Sequence, residues 1–269
     1  MTGVLGSVDL APSGWDAALV VAVTGMVAVM AHLRSPRRKA LVLSVPLPFT
    51  IATLAVGRPI DATHVSALWL LFAYTLAVYA LHRRLGLALI PSIVVAAAGF
   101  VVVGGALNAH LPNGEAAFWL AVAATLVVSW ALLRALPVSN EVGMLVDLPL
   151  ARKLSLVALV VAALVAFKGI MGGFMTLFPM VGVVASYENR HGLWANVRQV
   201  PVVMLTMLPL MVTTRLVEPA LGLPGALLLG WIPFLLALGP FLWRSWSRTD
   251  PAITDLESPR GADHAIARP

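Results

Sequence analysis

The chain contains no cysteine, which removes disulfides, thiolate metal sites and cysteine nucleophiles together. It is also poor in charge. Only 11% of its residues are Asp, Glu, Lys or Arg, against roughly 25% in soluble domains. Apart from Asp16, at the very start of the first run, the few acidic residues fall outside the apolar runs, so a proton-coupled carrier built on a carboxylate at depth is not expected. Several enzyme signatures are missing as well: there is no H-E-x-x-H, no G-x-S-x-G, no Walker lysine loop and no D-x-x-x-D pair for metal-bound diphosphate. The expectation is therefore no catalytic residues, no metal and no cofactor. The net charge of +6 is not a nucleic-acid signal, because the basic residues sit at the ends of apolar runs and form no patch.

What the chain does have is hydrophobicity: 60% of its residues are apolar and its mean hydropathy is +0.93. That composition predicts an all-α polytopic membrane protein. Apolar runs bounded by charged breaks fall at 15–33, 40–57, 65–81, 85–107, 116–133, 154–167, 169–187, 199–217 and 225–243, which gives about nine transmembrane helices. The residues before the first run contain no Lys or Arg, unlike the start of a secretory signal peptide, so that run is expected to stay as a helix.

Placing the N-terminus outside and the C-terminus inside puts fifteen of the 18 Lys and Arg residues on the inner side, leaving only Arg58, Lys168 and Arg215 outside. The acidic residues divide five outside to seven inside, so the asymmetry belongs to Lys and Arg, as the positive-inside rule requires. Merging the sixth and seventh runs into one helix fits this count worse. The predicted transmembrane domain covers 1–243, with a first half and central helix over 15–133 and a second half over 154–243. Residues 244–269, polar and proline-containing, read as a disordered cytoplasmic tail. The expected location is the bacterial plasma membrane, with the lipid bilayer as the constant partner and either a homo-oligomer or another membrane protein as a further one.

The run from Leu154 to Tyr187 holds the main functional signal. Its first half is too short for an ordinary span, and its second half carries Gly172, Gly173 and Pro179, which loosen or break a helix. Pro46 and Pro48 interrupt the second segment in the same way. Each break opens a segment that ends in a loop with Arg and His, and the next helix closes on Arg, Leu-Gly and Pro. Matching segments one to four with six to nine offsets the halves by five helices, and an odd offset inverts one half in the membrane. The result is a 4+1+4 inverted repeat with the two proline breaks facing each other, an arrangement that places transport sites. The alternative is that two hydrophobic stretches with proline breaks align by composition alone.

The stretch KGIMGGFMTLFPMVGVVASYENRHGLWANVRQVPVVMLTMLPLMV resembles the small bacterial inner-membrane proteins of the GlpM-like family. The likeness covers about 168–243 and rests on the Gly-rich start, the Leu-Phe-Pro break, the small-residue helix ending in an aromatic, the charged loop and a next helix opening near Arg. It implies a unit of about four helices, here fused twice around a central helix, and it carries over no catalytic residues.

Candidate binding residues follow from these breaks. Lys168 is either a functional cation at depth or the cap of an outer turn that snorkels to water, and the second reading is preferred. Glu188 and Arg190, with Asn189 and His191, make a charge-dense turn after the Gly-rich segment that either binds an anion or sets topology. Thr50, Thr53, Thr176 and Ser186 lie close enough to the breaks to serve a small cation or polar solute. Arg215 and Glu218, one turn apart, are expected to pair. Arg58, Asp61, His64, Asn108 and His110 read as solvated loop ends or as an outer vestibule. The resulting expectation is a permease-like protein moving a small solute or ion. The alternatives are a non-transporting accessory protein and, less favoured, a membrane-embedded lipid or polyprenyl enzyme.

Overall fold

A computed structural model describes residues 14–32, 45–112, 114–137, 170–188, 190 and 192–247, and among these the backbone is helical with no strand. The sixth predicted segment, Lys168, the 138–153 loop and the chain after Ser247 lie outside the described residues.

Helix α1 spans Gly14–His32 and α2 spans Leu47–Val56. Helix α3, Ala62–Tyr79, continues into a wider π-helical turn over Ala80–Arg84. It is followed by α4, Leu89–His110, and α5, Glu115–Ala135. A 3-10 helix occupies Gly172–Leu177, α6 is Met180–Glu188, and α7 runs over Leu193–Ser247. Helical structure therefore reaches four residues into the segment expected to be tail.

Four of these stretches, Ala62–Arg84, Leu89–His110, Glu115–Ala135 and Leu193–Phe241, are long and apolar enough to cross a membrane. Their outward faces are apolar too: α4 exposes Ile90, Val94 and Val102, α5 exposes Leu120 and Val127, and α7 exposes Leu228 and Leu236. In water such faces would be a liability, whereas against hydrocarbon they are the favourable surface.

Two of the nine expected segments are broken among the described residues. The described part of the second is the ten-residue α2, by itself too short for about 30 Å of hydrocarbon. It is opened by Pro46 and Pro48 and closed by Gly57 in the left-handed conformation (φ 65°), whose N–H bonds to the Thr53 carbonyl. The seventh segment divides at Phe178–Pro179 into the 3-10 helix and the nine-residue α6. Proline lacks the N–H needed to continue the ladder, so both breaks fall where the sequence places them.

Helix α7 is two limbs. Gly222 has φ 66° and ψ 167°, a conformation that favours glycine, and Pro224 starts the second limb. The limbs fold back on each other. The Thr214 hydroxyl lies 3.4 Å from the Ala226 carbonyl, and a Cβ on Gly230 would sit 2.9 Å from the Leu210 carbonyl oxygen. In one straight helix those last two residues would be about 30 Å apart. This hairpin matches the eighth and ninth predicted segments.

Helix α3 lies at the centre, against α4, α5, α7 and the 3-10 helix, while the 3-10 helix also packs on α2 and α4. The core runs through these contacts, with Leu68, Met171, Phe174, Met175, Met204 and Met211 fully or almost fully buried. Several are methionines, whose flexible thioethers fill the irregular space around a broken helix.

Candidate functional site

The 3-10 helix has two contrasting ends. At the Gly172–Gly173 end, side chains approach the backbone too closely to leave room for a methyl group. A Cβ on Gly173 would lie 2.2 Å from Thr63 Oγ1 and 2.5 Å from His64 Nδ1, and one on Gly172 would lie 2.3 Å from Asn108 Oδ1. Gly172 also has φ +53°, so both space and backbone demand glycine there. Asn108 Nδ2 donates to the Ile170 carbonyl at 3.0 Å, which ties α4 to the start of this segment.

The side chains facing this end organise the start of α3. Asp61 is its N-cap: Oδ1 accepts from the Thr63 N–H at 2.9 Å, the Thr63 hydroxyl at 2.5 Å and the His64 N–H at 3.4 Å. His64 Nδ1 lies 2.9 Å from that same oxygen and 3.2 Å from the Asp61 backbone N, which completes a capping box with histidine in the usual Glu or Gln place. His64 is fully buried, and its Nε2 has no partner among the described residues. Burial on its own would raise the Asp61 pKa, but the His64 ring and the Thr63 donors outweigh it and hold the carboxyl well below the usual carboxylate range. Neither Asp61 nor His64 is thus a solvated loop end, and their role here is to cap α3.

Arg215, on the first limb of α7, closes the same end. It donates to the Ile60 carbonyl, pairs with Glu115 at the start of α5 and lies 4.8 Å from the Phe118 ring centroid. The expected pairing with Glu218 is replaced by these contacts. A long guanidinium reaches a carboxylate on a neighbouring helix and a carbonyl in the turn before α3, whereas a pair with Glu218 would have joined α7 only to itself.

At its other end the 3-10 helix opens on a cavity of about 180 Å³. Pro46, Pro48 and Phe49 from the start of α2 line one part of it, and Thr176, Phe178, Pro179, Gly182 and Ser186 line another. Thr75 of α3 and Asn196, Gln199 and Val203 of α7 add to the polar and apolar wall, and among the described residues none that lines it is ionisable. The structure thus brings Pro46, Pro48 and Pro179 around one space. Gly172 and Gly173 sit at the packed end instead, and half-buried Arg190, in the turn before α7, does not line the cavity; the side chain of Glu188, which ends α6, lies outside the described residues.

The carbonyls near the breaks are largely satisfied. The Pro46 carbonyl accepts from both the N–H and the hydroxyl of Thr50, each at 2.9 Å. Thr53 donates to the Phe49 carbonyl at 2.8 Å, and Thr176 donates to the Gly173 carbonyl at 2.7 Å. Pro179 O receives the Val183 N–H at 2.8 Å. Of the four hydroxyl residues singled out beside the breaks, Thr176 and Ser186 line the cavity, whereas Thr50 accepts from Trp231 Nε1 at 3.0 Å and Thr53 is fully buried.

Sequence reasoning missed Thr75, Asn196 and Gln199. The available signal was the i,i+3 spacing of Asn196 and Gln199, two amides on one face of an otherwise apolar helix start. No group of three or more His, Asp or Glu residues with metal-binding geometry occurs among the described residues. No protein-family model matches the chain, and neither a curated protein nor a solved structure shows significant similarity to it.

Proposed function

We propose that this chain is a permease-like, multi-pass protein of the bacterial plasma membrane that moves a small solute or ion through the space between α2 and α6. The observation that carries this reading is the convergence of Pro46, Pro48 and Pro179 on one cavity. Two short helices of ten and nine residues, each opened by proline, flank it. Broken helices inside a bundle leave room for a solute where continuous helices would pack shut.

The inverted-repeat reading gains support from chain order. Each short helix is followed within a few residues by a long one, α2 by α3 and α6 by the first limb of α7. A further apolar helix follows each, namely α4 and the second limb of α7. In this proposal α5 is the central element, and the GlpM-like likeness of 168–243 describes the second unit.

The test is solute and ion flux into proteoliposomes, comparing wild type with Pro179→Ala and Lys168→Ala. Flux that depends on Pro179 supports the proposal. Absence of flux for a broad panel, together with a stoichiometric co-purifying membrane protein, replaces it with the accessory-protein reading.

A further inference from the structure

We infer that the cavity between α2 and α6 is a binding site for a small, neutral, hydroxyl- or amide-bearing solute and excludes ions of either sign. The inference deepens the transport reading and rests on it for the word solute, but the site chemistry is argued from the wall itself.

Size comes first. At about 180 Å³ the cavity is smaller than the sites that hold drug-sized ligands. A space of this size takes several waters or one small organic solute.

Charge comes next. Among the described residues no ionisable side chain lines the cavity, and against that wall an ion would lose hydration without gaining a counter-charge, a cost of several kcal/mol or more in a low-dielectric setting. A bare cation is held by a ring of six or more free oxygens. Here the oxygens around the breaks are already engaged: Pro46 O by Thr50, Gly173 O by Thr176, Phe178 O by the Met180 N–H and Pro179 O by the Val183 N–H. An anion needs clustered N–H donors, and at Pro46, Pro48 and Pro179 the wall has none to offer.

A neutral polar solute meets a better match. The Gln199 side-chain amide lines the cavity and has no hydrogen-bond partner among the described residues, so its donors and acceptor are free for a guest. Thr75 and Thr176 donate to the Phe72 and Gly173 carbonyls, which leaves their oxygen lone pairs facing as acceptors only. Phe49, Phe178 and Met207 supply the apolar surface for a carbon skeleton. Separate polar and apolar patches of this kind suit a short polyol or a small amide.

The test uses full-length protein in proteoliposomes, with glycerol and urea as neutral probes read by stopped-flow light scattering, and rubidium and chloride as ionic probes read by isotope uptake. In parallel, glycerol and urea binding to the detergent-solubilised protein is followed by saturation-transfer NMR. The expected result is saturable flux of at least one neutral probe above empty liposomes, no flux of either ion, and a loss of about tenfold in Gln199→Leu, the scale of one or two hydrogen bonds. Gln199→Asn, which keeps the amide, should retain more activity than Gln199→Leu at equal thermal stability. Ion flux without neutral flux overturns the inference and leaves the transport reading standing. Neutral binding that is weakened in Gln199→Leu, but without flux, keeps the site and removes transport. Neither flux nor binding by folded protein removes both.

Discussion

The two ends of the 3-10 helix, barely two turns apart, differ in every physical respect that matters. At the Gly172–Gly173 end a methyl group has no room, and Asp61, Thr63, His64, Asn108 and Arg215 bind one another or nearby backbone. At the Thr176–Pro179 end the chain borders open space, and an uncommitted amide faces it from α7. The difference shows how one short segment can join a rigid contact to a cavity: glycine permits close approach at one end, and proline forbids helix continuation at the other.

The largest stability loss is expected at the packed end. Gly173→Val forces β-branched bulk into Thr63 and His64 and should cost about 3 kcal/mol or more, read as a fall in thermal unfolding temperature in detergent. Gly182→Ala, beside the cavity, meets Pro179 Cβ at 3.0 Å and should cost far less. If the two variants melt together, the contrast between the ends is wrong.

Arg215→Ala comes next. It leaves the Ile60 carbonyl without its donor and removes the link between α7 and α5, with an expected loss of about 1–3 kcal/mol. Glu115→Gln should cost clearly less than Arg215→Ala, because that carboxylate is largely exposed and its pairing is screened by water. Equal effects would mean that the ion pair, and not the carbonyl contact, holds this end.

Asp61→Asn keeps a capping side chain but removes the charge that His64 and Thr63 stabilise. Since the folded carboxyl has a depressed pKa, its contribution is complete above the unfolded value of about 3.9 and fades as pH falls below it. Wild type should therefore lose stability on acidification below about pH 4 more steeply than Asp61→Asn. Parallel pH profiles would show that Asp61 is not the group responsible.

The smallest stability effect is expected at Gln199→Leu, within about 0.5 kcal/mol of wild type, since the amide has no partner to lose among the described residues. Unfolding temperature checks this, and a large drop would mean that the amide is part of the packing.

Much of the architecture was legible because its causes are local. Hydropathy over some 20 residues marks a span, so α3, α4, α5 and the α7 limbs fall close to their predicted ranges. The breaks at Pro46, Pro48 and Pro179 were legible too, since proline acts on its own turn. Long-range partners were not. Asp61 and His64 looked like loop residues because a capping box within an outer turn has the same composition as a solvated turn, whereas the bundle, with Gly173 of the 3-10 helix against the ring, buries His64. Arg215 had an acidic neighbour one turn away at Glu218, yet it bonds to Glu115, a hundred residues distant.

By itself, the sequence determined an all-helical chain with apolar spans and the positions where helices must break. Hydrophobic transfer and backbone sterics act over a few residues and do not depend on what lies across the bundle. Only the tertiary structure decided that the two proline breaks share a cavity, that Gln199 faces it and that the glycines serve the packed end, because contact between distant segments depends on how the helices are placed together.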